Sequence, residues 1–110
     1  LVEEYGYIDD LELAKRELER CFQQKGLGPR RIQLRLRQRG IASEIIDEVL
    51  GSINIEAIYD LCLKEARKKL RQLSELDDIT KRSRLSAFLY RRGFESDCIS
   101  RCLRELIICN

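Results

Sequence analysis

Apolar residues recur at steps of three and four along most of the chain. Leu11, Ala14, Leu18, Cys21 and Phe22 do so between Asp9 and Gln24, Ile32 and Leu36 between Arg30 and Arg39, and Ile45, Ile46 and Val49 before Leu50. That spacing lines one face of a helix. Asp9 and Asp10 suit the start of the first helix, Gly26 a left-handed stop, and Pro29 the first residue of the second helix. Gly40 closes the second helix, Ile41 just beyond it suits the apolar contact of a helix stop, and Ser43 caps a third helix ending at Leu50. The order then repeats. A longer helix runs from about Ile55 to Leu73 after Asn54, another from about Ile79 to Arg92, and Ser96 caps the last after Gly93. Strand-length alternation is absent, so six helices in two sets of three are expected.

The repetition extends to residue identity. One constant offset pairs Arg31 with Arg84, Leu36 with Leu89, Arg39-Gly40 with Arg92-Gly93, Ser43 with Ser96, Ile46 with Ile99 and Leu50 with Leu103. Upstream the offset is shorter by one residue and pairs Leu11, Ala14 and Leu18 with Leu63, Ala66 and Leu70. The fold class expected is all-α: tandem three-helix units over residues 1–51 and 52–110, forming an elongated array that repeats along one side. Each unit buries its apolar stripe partly against itself and partly against its neighbour. A duplicated surface suits a periodic partner better than a single small substrate.

Charge changes this picture more than composition does. The 110 residues carry a net charge of only +2, with 36% charged residues, 6% aromatics and no His, Trp or Met. Arg30 to Arg39 nevertheless holds five arginines and no acid, and Lys81 to Arg92 holds one lysine and four arginines and again no acid. The middle helix of each unit is therefore basic. Lys64, Arg67, Lys68, Lys69 and Arg71 add to the long fourth helix. Arginine in place of lysine favours planar, bidentate contact with carboxylate or phosphate, while long stems on a solvated face are the plainer explanation for any one of them.

Other chemistry has little to stand on. There is no phosphate loop, and Gly26-Leu27-Gly28-Pro29 lacks a preceding strand. Without His, nucleophilic or acid-base catalysis would fall to Asp9-Asp10 or Asp77-Asp78, which read as acids at helix starts, so no enzyme, cofactor or metal is expected. Five cysteines, Cys21, Cys62, Cys98, Cys102 and Cys109, form no Cys-x-x-Cys pair and read as reduced intracellular thiols. Cys98 and Cys102 share a helix face, as a metal or redox pair would, but they align with Ile45 and Val49, which favours small buried hydrophobes. The longest apolar run, Leu106 to Cys109, is a helix end or tail, far short of a membrane span. The start at Leu1-Val2-Glu3-Glu4 reads as part of a longer chain.

The string Gly6-Tyr7-Ile8-Asp9-Asp10 followed by Ala14, then Lys25-Gly26, Gly28-Pro29-Arg30-Arg31-Ile32, Leu36-Arg37, Arg39-Gly40-Ile41 and Ile46, resembles the RecX family of bacterial regulators of the RecA recombinase. The second copy keeps Arg84, Leu89, Arg91-Arg92-Gly93-Phe94 and Ile99; Leu13 stands where the family has an aromatic. Family members carry three such units, so the resemblance makes these the last two. It implies a cytoplasmic, monomeric, non-enzymatic modulator that lies along the groove of the RecA filament and inhibits strand exchange and ATP hydrolysis. On that basis Arg30, Arg31, Arg35, Arg39, Arg84, Arg91 and Arg92 are the candidate partner contacts, and Gly40, Gly93, Asp9 and Asp10 are structural. The alternative is a direct binder of single- or double-stranded DNA through the basic middle helices.

Overall fold

The structure, a computed structural model, describes residues 2–107, with side-chain surroundings from Ile8 onward; Cys109 and the end of the Leu106–Cys109 stretch lie outside the described residues. Six helices follow one another: α1 (Val2–Glu19), continued by a π-helical turn (Arg20–Gln24), α2 (Pro29–Gln38), α3 (Ser43–Gly51), α4 (Ile55–Gln72), α5 (Asp78–Arg91) and α6 (Ser96–Leu106). No strand occurs among the described residues. The molecule measures 61 × 20 × 18 Å, which is the elongated all-α array the periodicity predicts.

The apolar stripes meet in two separate clusters. Ala14, Cys21, Ile32, Leu36, Ile46 and Val49 join α1, α2 and α3, while Cys62, Ala66, Leu85, Leu89, Phe94 and Cys102 join α4, α5 and α6.

The helix stops after α2 and α5 are built alike. Gly40 and Gly93 take φ of 81° and 97°, where glycine avoids the Cβ penalty. Gly40 N–H donates to Arg37 O (2.9 Å) and Ile41 N–H to Leu36 O (3.1 Å); Gly93 N–H donates to Tyr90 O (3.0 Å) and Phe94 N–H to Leu89 O (3.2 Å). Both are Schellman stops, with a buried Ile41 or Phe94 turned back into the core.

Helix starts depart from expectation in two places. Asp9 and Asp10 lie inside α1, which begins at Val2, so the aspartates do not cap. Ser43 and Ser96 are first helical residues and make no cap bond, because the chain turns from extended to helical one residue earlier, at Ala42 and Glu95. Asn54 and Asp77 do cap, accepting from Glu56 N–H (2.7 Å) and Thr80 N–H (3.2 Å).

The two units meet at a narrow seam. Gly28 N–H donates to Arg92 O (2.7 Å) and Arg30 N–H to Gly93 O (3.0 Å). The first turn of α2, whose N–H groups have no partner within the helix, is thus completed by the helix stop of the second unit. Pro29, having no N–H, sits between the two bonds at no loss. A Cβ on Gly28 would come within 2.6 Å of the Gly93 backbone, and one on Gly93 would strike the backbone of Arg31.

Candidate partner-binding surface

The seam brings the start of α2 beside the end of α5, and that juxtaposition gathers arginines from both units. Arg30, Arg31, Arg37 and Arg91 line an open groove of about 350 Å³ together with Gln33, Leu34, Tyr90 and Gly93, and no acid lines it. Arg30 lies over the Tyr90 ring, 5.4 Å from its centroid, and pairs loosely with Glu95 at 3.8 Å. Tyr90 and Leu34 are 58% and 44% exposed, so the groove offers apolar surface between its charges. Arg31 and Arg91 also face an adjoining opening with Leu27, Phe88 and Arg92. From there the basic surface continues to Lys64, Lys68 and Lys69 of α4, with Lys69 and Arg92 each 5.2 Å from the Phe88 centroid.

Arg35, Arg39 and Arg84 do not line these openings, and Arg92 lines the adjoining one but not the groove itself. Arg39 pairs with Glu17 at 3.5 Å, and its counterpart Arg92 reaches Glu65 at 4.0 Å; both acids are buried. Arg92 also donates to Lys25 O across the seam at 2.8 Å. These two are engaged in holding the fold. Glu17 accepts from Arg20 at 2.6 Å, and that hydrogen bond, reinforced by the charges of Arg20 and Arg39, keeps its carboxyl below the ordinary value against the opposing effect of burial. Arg35 packs with its Nε buried and unpartnered. Arg84 is exposed on α5 away from the groove.

Sequence reasoning did not select Arg37, Leu34 or Tyr90 as contacts. The repeat held the signal: Arg37 and Tyr90 occupy equivalent positions in the two units, and both line the same groove.

The fold and this surface define a class: tandem three-helix units carrying a basic groove over their junction. Residues 9–50 match the family profile described as RecX, second three-helix domain, and residues 56–103 that described as RecX, third three-helix domain. The chain belongs to the RecX family. It is 35% identical over 105 residues to the Regulatory protein RecX of Chlorobium phaeobacteroides, covering 96% of this chain and 67% of that protein. It is 33% identical over 103 residues to that of Pelodictyon phaeoclathratiforme, covering 94% and 62%. A crystal structure of RecX from Lactobacillus salivarius superposes with a TM-score of 0.83 at 22% identity, over 91% of this chain and 65% of the other, and shows the shared fold. The chain thus spans about two thirds of the length of these relatives. Among the described residues no helix is long and apolar enough to cross a membrane.

Proposed function

We propose that this chain is a regulatory module that binds the RecA nucleoprotein filament along its groove and inhibits recombinase and ATPase activity, with the arginines of the seam as its main contacts. The observation that carries this reading is the acid-free groove of Arg30, Arg31, Arg37 and Arg91, assembled from two units held in fixed relation by backbone hydrogen bonds. Four guanidinium groups on one opening suit carboxylates or phosphates presented in series. A rod 61 Å long suits a partner that repeats along an axis, where several weak contacts add through effective concentration. The chemistry of strand exchange and ATP hydrolysis stays with the partner.

A second reading, direct binding of DNA, draws support from exposed Tyr90 beside Arg30, since an aromatic ring among cations can stack a base. Fluorescence anisotropy separates the two. Labelled single-stranded DNA is offered bare, or coated with RecA and a non-hydrolysable nucleotide, at two salt concentrations. A filament reader prefers the coated DNA, and Arg31→Glu with Arg91→Glu weakens it at least about tenfold, or 1.4 kcal/mol, whereas Arg84→Glu has the smaller effect. Equal or tighter binding to bare DNA, with a log-log salt slope of about −0.7 to −0.9 per phosphate, selects the nucleic-acid module and overturns the filament reading.

A further inference from the structure

Three thiols converge in the second unit. Cys62 of α4 meets Cys98 and Cys102, one turn apart on α6, and the three Sγ atoms all lie within 4.8 Å of one another. Cys102 Sγ and Cys62 Sγ are 3.0 Å apart. Cys62 and Cys102 are fully buried, whereas Cys98 is half-buried and borders a surface pocket of about 300 Å³ with Ile55, Ile58, Tyr59 and Arg101. Packing alone does not require sulfur at these places. The first unit fills the positions equivalent to Cys98 and Cys102 with Ile45 and Val49, both buried in a core of the same design, and has Asp10 opposite Cys62. The sulfur cluster is therefore peculiar to the second unit.

Three sulfurs bonded at about 2.3 Å to one ion in a plane stand roughly 4 Å from each other. Small side-chain rotations that widen the Cys62–Cys102 pair bring this cluster to that spacing. Soft thiolates select thiophilic ions such as monovalent copper or zinc. Zinc takes a fourth ligand, and this cluster holds three sulfurs and no histidine, two of the three sealed from solvent. The geometry points to a trigonal three-thiolate site for a thiophilic monovalent cation, copper(I) being the best fit, entered past Cys98 from the pocket beside Tyr59 and Arg101. Arg101, held 3.7 Å from the Tyr59 centroid and 3.2 Å from Glu56, places a cation at the mouth that offsets part of the excess negative charge of three thiolates around one monovalent ion.

The test is an anaerobic titration of the fully reduced chain with copper(I) against a competing copper(I) chelator. One ion per chain is expected, with X-ray absorption reading three sulfur neighbours. One equivalent should shield Cys62, Cys98 and Cys102 from alkylation while leaving Cys21 reactive on unfolding. Cys98→Ser should weaken binding at least about tenfold, and Cys21→Ser should leave it unchanged. The double variant Cys98→Ile with Cys102→Val copies the first unit's own packing; it should keep the helical circular dichroism of the parent and bind no ion in competition. Stoichiometry above one that is shared by the urea-unfolded chain, or affinity indifferent to Cys98→Ser, would overturn the assignment.

Discussion

The seam can be broken with one methyl group. Gly28 has φ −80° and ψ 172°, a conformation alanine adopts freely, so Gly28→Ala carries no backbone strain and acts only through collision. Its Cβ would lie 2.6 Å from the carbonyl carbon and oxygen of Gly93 and 2.8 Å from Phe94 N, all backbone atoms that cannot swing aside. Relief requires the units to part, which loses Gly28 N–H to Arg92 O and Arg30 N–H to Gly93 O. At about 1 kcal/mol net for each bond, the loss of these two backbone bonds alone should weaken the docking of one unit on the other by about 2 kcal/mol. For a chain of this size that lowers Tm by roughly 8 °C. Two other glycines separate clash from strain. Gly40→Ala meets open space but keeps φ at +81°, and should cost about 1 to 2 kcal/mol through the left-handed backbone alone. Gly51→Ala, also in open space at the end of α3, should be neutral or stabilise by up to about 1 kcal/mol. Urea unfolding measures the energies, and small-angle X-ray scattering reports whether the 61 Å rod loses its fixed shape in Gly28→Ala while circular dichroism stays helical. A Gly28→Ala chain within about 0.5 kcal/mol of the parent and with unchanged scattering would refute the seam.

The two cores make further demands. Phe94→Ala removes a fully buried ring from the second helix stop and should cost about 3 to 5 kcal/mol, read as a drop in the urea midpoint. Acid acts through Glu17: its folded value lies below the ordinary 4.5, so its stabilisation is present above the ordinary value and fades as pH falls through the folded one. The urea midpoint should drop in that window, and Glu17→Gln should flatten the drop. Asp77→Ala removes a real cap bond and should lower Tm, whereas Ser96→Ala removes none and should leave Tm unchanged.

Periodicity and glycine placement made most of the fold legible, because amphipathic spacing and left-handed stops are local properties. Helix starts were less so: whether Ser43 or Ala42 caps depends on where the chain turns after Ile41 is buried, and α1 runs back to Val2 although Asp9 and Asp10 look like a beginning. The arginine-rich segments were visible as charge, but which arginines share a surface was not. Arg30 and Arg91 meet because Gly28 and Gly93 touch, a contact between two units that no spacing within one helix reports. Arg39 and Arg92 looked as available as Arg31 until the buried carboxylates of Glu17 and Glu65 were placed beside them.

The duplication acts as an internal comparison that divides fold from function. Positions alike in both units hold structure: Leu36 and Leu89 are core, Gly40 and Gly93 are stops, and Arg39 and Arg92 each tether a buried acid. Positions that differ give each unit its own surface and core chemistry. Arg30 faces Ser83 in the repeat, Arg37 faces Tyr90, and Cys98 and Cys102 replace Ile45 and Val49. The first unit has concentrated charge at the end of α2 that reaches the seam, and the second contributes an aromatic ring and Arg91 to the same opening. Arg31 and Arg84 are the instructive exception, identical in sequence yet differently used. Only Arg31 has a neighbouring helix stop docked on its own helix start, so only Arg31 is drawn into a shared groove. A further unit docked before α1 through the same kind of contact would not use Arg84 either, because a seam draws on the start of the middle helix in the earlier unit and the end of that helix in the later one. Each seam would thus make one groove.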